Sequence, residues 1–178
     1  SWTWTQNPFV RTPELQGLKI LMLLVSNWDA KDARDRANGH MDSNLAIFAD
    51  DTANERRYIY AHGDWGGTLG KWGNRFTWNR GDCEGFAKQT PSFVKRREDG
   101  SLDWGFNGKH RKDMTDITVH DVRWLLQYLG RITDAQIRRG LAASGAPPDD
   151  LECYATALRQ RIGQLQSIAG EAPVTGAN

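Results

Sequence analysis

The stretch 18–35, LKILMLLVSNWDAKDARD, decides how the rest of the chain is read. Its first eight residues are hydrocarbon apart from Lys19; its last ten carry Asp29, Lys31, Asp32, Arg34 and Asp35. A helix that is apolar on nearly every side belongs inside a core rather than on a surface. Upstream, Thr12 supplies a capping hydroxyl and Pro13 a residue whose missing N–H costs nothing in a first helical turn. The helix is therefore predicted from Pro13 to about Ser26, delivering the charged run just outside the core.

Beyond that run, NLAIF (44–48) and RYIYAH (57–62) are short, β-branched and aromatic, separated by the turn-rich ADDTANE, which predicts a two-stranded hairpin. GDWGGTLGKWG (63–73) contains five glycines. Such a segment excludes regular structure and suggests backbone brought close to a ligand or into a tight turn. Further on, Thr118 and Asp121 make a capping box before VRWLLQYLG, ending at Gly130, and Thr133 caps a second helix through Leu141, stopped near Gly145. Pro147, Pro148 and Asp149 open a third, with Leu151, Tyr154, Leu158, Ile162 and Leu165 on one face. The expected fold class is α+β, mainly α-helical, with a small β-hairpin carrying the site. One domain is expected over 1–168, followed by a disordered tail over 169–178.

The formal net charge of +1 gives no global field to draw nucleic acid or an anionic membrane. No apolar run approaches the roughly 20 residues that span a bilayer. Cys83 and Cys153 form neither a CxxC motif nor a secreted-type framework, which fits a reduced, cytoplasmic compartment.

An acid and a lysine two residues apart, just past a buried helix, suit phosphoryl transfer. There an aspartate deprotonates the attacking oxygen, a lysine neutralises phosphoryl charge, and further carboxylate or amide oxygens hold a metal. Asp29 and Lys31 supply the first two. Asn44, opening its strand, and Asp64, on a glycine-flanked turn, supply hard oxygen ligands suited to magnesium or manganese. His62 lies two residues before Asp64 and shares its face if the segment is extended. His40 and His110 stand in glycine-flanked loops and, with Asp32, are further candidates; nitrogen ligands would admit zinc. The plain alternatives are that Asp29 and Asp32 end one helix and cap the next turn, that Asn44 and Asp64 are turn residues, and that the eight tryptophans are packing. KRRED (95–99) reads as a solvated charged turn.

The order of helix, DAK, NLAI, hairpin and DWG resembles the C-terminal lobe of protein kinases, where a buried helix leads to Asp-Leu-Lys-x-x-Asn, a short hairpin and Asp-Phe-Gly. NPFVRTPELQGLKILMLLVSNWDAKD and GDWGGTLGKWG resemble, more narrowly, a bacterial family of kinase-like proteins. The resemblance covers residues 1 to about 168. It implies Asp29 as catalytic base, Lys31 as the phosphate-neutralising lysine, and Asn44 and Asp64 as metal ligands; Asp29 itself and, from its spacing to Asp64 alone, His62 are added to that metal set.

Nothing before residue 12 supplies the glycine-rich strand pair or strand lysine that grips ATP in a kinase. The expected function is thus a metal-dependent phosphoester hydrolase, acting on a phosphodiester or activated phosphotriester with manganese, zinc or magnesium. The alternatives are the catalytic lobe of an ATP-dependent kinase and a non-catalytic helical module. The expected partners are a small-molecule phosphoester and, because Trp2, Trp4 and Phe9 look exposed, a second copy in a homodimer. Neither nucleic acid nor a membrane is expected.

Overall fold

Thr12 caps the first helix as its sequence requires, accepting a hydrogen bond from the Leu15 N–H, and the helix α1 runs over Pro13–Leu24. The computed structural model describes residues 1–37, 39, 43–51 and 56–170. After α1 come α2 (Ala33–Ala37), strands β1 (Leu45–Asp50) and β2 (Arg57–His62), helix α3 (Cys83–Gln89), strands β3 (Val94–Arg96) and β4 (Leu102–Trp104), and helices α4 (Val119–Leu129), α5 (Asp134–Ala143) and α6 (Pro148–Ala169). The class is α+β, with two antiparallel hairpins among helices.

Helix α1 is the buried axis expected of it. Ile20, Met22, Leu23 and Leu24 are almost fully enclosed and pack with Val122, Leu125 and Leu126 of α4 and Ile162 and Leu165 of α6. Gly17 lets α4 come close: a Cβ there would lie 2.7 Å from the Trp124 ring. The single lysine of the apolar run is buried too, and its Nζ meets Asp116 at 2.6 Å. Pairing is what makes a buried ammonium tolerable.

The capping box at Thr118 forms as read, and the cap at Thr133 proves to be a box too, with Gln136; each threonine accepts from the third backbone N–H of its helix. The end of α6 corrects the expected domain boundary: the helix includes Ala169, and Gly170 closes it with φ 76°. The rest of the expected tail, 171–178, lies outside the described residues. Helix α3 and the β3–β4 hairpin were not foreseen. Part of KRRED lies in β3, which pairs Lys95 with Asp103 and Arg96 with Leu102.

Two further corrections concern side chains. Cys83 and Cys153 are joined in a disulfide between α3 and α6, across 70 residues of sequence. That removes the ground for expecting a reduced compartment, because the sequence pattern says nothing of two cysteines made neighbours by tertiary packing. Trp2 and Trp4, expected at an interface, are buried in the chain's own core, leaving Phe9 exposed and in edge contact with Tyr60. No described helix is long and apolar enough to cross a membrane.

Candidate functional site

Helix α1 stops at Leu24 because Ser26 turns into the left-handed region, φ 54°, a conformation unusual for a residue other than glycine. Arg161 of α6 secures the turn. Its Nη1 donates to the Leu24 carbonyl at 2.9 Å and to Ser26 Oγ at 2.7 Å. The chain then enters the loop 27–32.

Two asparagines build that loop. Asn27, fully buried, accepts from the Asp29 N–H through Oδ1 (3.1 Å) and donates from Nδ2 to the Asp64 carbonyl (3.2 Å). Asn44 donates its backbone N–H to the Lys31 carbonyl (3.1 Å), donates Nδ2 to the Asp29 carbonyl (2.5 Å), and accepts from the Gly63 N–H (2.8 Å). Asp29, Lys31, Asn44 and Asp64 are therefore drawn from three separated segments into one place. Lys31 Nζ lies 2.9 Å from Asp29 Oδ2, with about a fifth of each side chain exposed.

The glycine-rich segment packs directly on this loop. Trp28 N–H donates to the Gly67 carbonyl (3.1 Å) and Leu69 N–H to the Val25 carbonyl (2.8 Å). A Cβ on Gly67 would stand 3.2 Å from Asp29 Cβ, a tight contact, and one on Gly70 would overlap the Asn79 carbonyl, so Gly70 needs backbone without a side chain. Asp64 is exposed, and its Oδ1 accepts from the Gly66 N–H at 2.7 Å.

His62 closes the inner side. Its ring lies 4.9 Å from Trp65 and 6.2 Å from Trp4, and both ring nitrogens are enclosed with no hydrogen-bond partner. Burial lowers its pKa, opposed by the charges of Asp64 and Asp29. The imidazole is thus kept neutral beside two carboxylates.

Asp32 and His110 belong to another network. Asp32 is fully buried, caps α2 through the Arg34 N–H (2.9 Å) and accepts the Trp4 N–H (3.1 Å). Burial acts to raise its pKa, but the hydrogen bonds from Arg34 and Trp4 prevail and hold it below the usual carboxylate range. Burial likewise acts on Asp35, yet His110, bonded through Nε2 at 2.6 Å, and the Asp32 N–H bring it down to about 2. Among the described residues, Asp32, His110 and Asp113 are the group whose possible ligand atoms lie within 4.8 Å of one another. The Arg34 guanidinium already fills that group, contacting Asp32, Asp113 and His110 Nδ1. A metal ion would have to displace it. His40 lies outside the described residues.

Sequence reasoning missed Asn27 and Trp28, although both stand in the stretch 18–35. Asn27 carries a local signal, since asparagine readily bonds the backbone two residues on. Trp28 carries none. Its indole Nε1 donates to the Gly73 carbonyl at 2.7 Å, its ring stacks on Trp78 at 4.6 Å and 7°, and it lines an open cleft of about 530 Å³. No protein-family model matches the chain, and no curated protein and no solved structure matches it.

Proposed function

We propose that Asp29, Lys31, Asn44 and Asp64 form a divalent-metal-dependent phosphoryl-transfer centre, on a lobe of the kind that carries catalysis in protein kinases. The observation that carries this is the pinning of all four by Asn27 and Asn44. Those bonds fix backbone groups of Asp29, Lys31 and Asp64, and Lys31 pairs with the Asp29 carboxylate. This supports a candidate base, cation and two candidate oxygen ligands in the chain order that phosphoryl transfer uses.

The donor set fits a hard cation. Asp64 spends one carboxylate oxygen on Gly66 and keeps the other, and Asn44 spends its amide NH₂ on Asp29 and keeps its carbonyl oxygen. With the His62 nitrogens enclosed, this set is oxygen only and suits magnesium or manganese better than zinc. The bound ion would neutralise phosphoryl charge. Asp29 accepts the proton of the attacking oxygen, and Lys31 holds the Asp29 carboxylate in place while presenting positive charge beside it.

The favoured acceptor is water, because Asp64 is exposed to solvent and nothing among the described residues grips ATP. Transfer to an alcohol is the second reading, favoured by the roomy cleft lined by Trp28, the residue before the candidate base.

Manganese titration followed by calorimetry, then assays with ATP plus an alcohol acceptor and with a chromogenic phosphodiester, test both. The expected result is binding of one or more ions that Asp64→Asn weakens, and turnover that Asp29→Asn cuts by about 10²-fold or more. Turnover that survives complete chelation would overturn the proposal. So would a chain that binds no divalent ion, which is the behaviour of a non-catalytic module.

A further inference from the structure

The cleft beside Trp28 is bounded by two turns, Gly73 to Arg75 and Asn107 to Lys109. The turns are tied to each other and to the site loop. Gly73 N–H donates to the Asn107 carbonyl (3.0 Å), and Lys109 N–H donates to the Trp28 carbonyl (3.0 Å). Its position is therefore fixed relative to Asp29, the next residue along the chain.

The lining has a definite chemistry: one indole, two carboxamides, two cations and no carboxylate. Arg75 is exposed, while Lys109 meets Asp35 only at 3.4 Å. One exposed guanidinium and one ammonium that Asp35 neutralises only in part favour an anion. They are too few for the phosphate run of a nucleic acid. Carboxylate and phosphate are the groups that a guanidinium grips best. The indole is immobilised by Trp78 and Gly73, so it offers a rigid apolar surface at little entropic cost. Asn74 spends its side-chain oxygen on the Phe76 and Thr77 N–H groups, which leaves its NH₂ as a donor. An aromatic surface beside carboxamides and cations matches a ring with C–H bonds on its face, hydroxyls at its edge and a negative charge.

The rim adds a second surface. Phe76 is 92% exposed at the tip of the turn that Asn74 and Thr77 lock. A large aromatic held in water by a rigid turn marks a contact surface.

We propose that this cleft binds an anionic carbohydrate, with its first ring against Trp28, its charge on Arg75 and Lys109, and a following ring reaching Phe76. That this sugar is the hydroxyl acceptor rests on the phosphoryl-transfer reading above; its binding does not.

Calorimetric titration of the full chain with a uronic-acid trisaccharide, the monomeric uronate, glucose 6-phosphate and neutral maltotriose, all in EDTA, tests the binding. Charged sugars are expected to bind at least about tenfold more tightly than maltotriose. Arg75→Glu should cost about tenfold or more, Phe76→Ala should weaken the trisaccharide and not the monomer, and Asp64→Asn should change neither. The uronate and phosphate arms identify which anion the site takes. Equal affinity for neutral and charged sugars, no binding of any, or indifference to Arg75→Glu would overturn the proposal. Binding in EDTA without phosphorylation when metal and ATP are added would fault the transfer reading and leave the carbohydrate site standing.

Discussion

Asn44 donates its side-chain amide to the Asp29 carbonyl across 2.5 Å, joining the residue that opens β1 to the loop that follows α1. The two lie 15 residues apart. A hairpin that begins with this bond cannot shift without moving Asp29; in the proposed centre the same residue would offer an oxygen to a cation and set where the base stands.

Asn44→Leu keeps the side chain's size and removes both functions. Because Asn44 is buried and the Asp29 carbonyl would lose its donor, the expected stability cost is about 1–3 kcal/mol. Manganese affinity should fall at least about tenfold, the loss of one good ligand. Denaturant unfolding and manganese titration check the two separately; unchanged metal binding in a folded variant would remove Asn44 from the ligand set.

Trp4 buttresses the same loop from the other side. Its indole Nε1 donates to the Ala30 carbonyl at 2.8 Å and its N–H to Asp32 Oδ2 at 3.1 Å, with the ring 1% exposed. Trp4→Ala is expected to cost about 3–5 kcal/mol, the usual scale for emptying a buried aromatic site. The homodimer read from these aromatics predicts dissociation instead. Light scattering and unfolding of the same variant tell the two apart: a stable monomer from a dimeric parent would restore the interface.

The helical ends and the first hairpin were legible because their signals are local. A threonine before proline, a capping box at Thr118, a capping threonine at Thr133 and short runs of β-branched and aromatic residues act over a few positions. The candidate site was legible in residue type and order alone. What ties the segments of Asp29, Lys31, Asn44 and Asp64 together, Asn27 and Asn44, does so through contacts across 37 and 15 residues of sequence. The cysteine pair misled for the same reason, because its spacing has meaning only after α3 and α6 have packed.

Reduction of Cys83–Cys153 should lower stability by about 2–4 kcal/mol, as expected for opening a long covalent loop. The bond staples α3 to α6 beside the cluster of Phe86, Tyr154 and Leu141, away from Asp29. Thermal melts with and without a reductant measure the loss. Manganese affinity measured below both melting temperatures should not change.

His62 gives stability a dependence on acid. Burial sets its pKa below the ordinary value of about 6.5, so above that pH neither the folded nor the unfolded chain holds the proton. As pH falls below 6.5, the unfolded chain takes up a proton that the folded chain resists, and stability declines until the folded pKa is passed. His62→Phe keeps the ring between Trp4 and Trp65 and removes the titration. The difference between the two stability curves should therefore be flat above pH 6.5 and grow below it; parallel curves would show that His62 is not held neutral.

Arg161 is the most exacting single residue in the fold. It is fully buried with no carboxylate among the described residues against it; its guanidinium lies over Phe86 at 3.6 Å and bonds Thr90 Oγ1, the Leu24 and Phe86 carbonyls and Ser26 Oγ. Burial pulls its pKa down to about 9, which still leaves it charged at neutral pH. Lysine carries the same charge but lacks the planar fork that bonds two chain segments, 24–26 and 86–90. Arg161→Lys is therefore expected to lose most of what Arg161→Met loses, about 3–5 kcal/mol, because either change strands buried carbonyls and leaves Ser26 without its anchor. Hydrogen exchange at Ser26 and Asn27 reads the second effect directly: the amides there should exchange faster in both variants under conditions where β3 and β4 remain protected. Unchanged exchange at the end of α1 would mean that the turn into the site holds itself, and that Arg161 serves the packing of α6 alone.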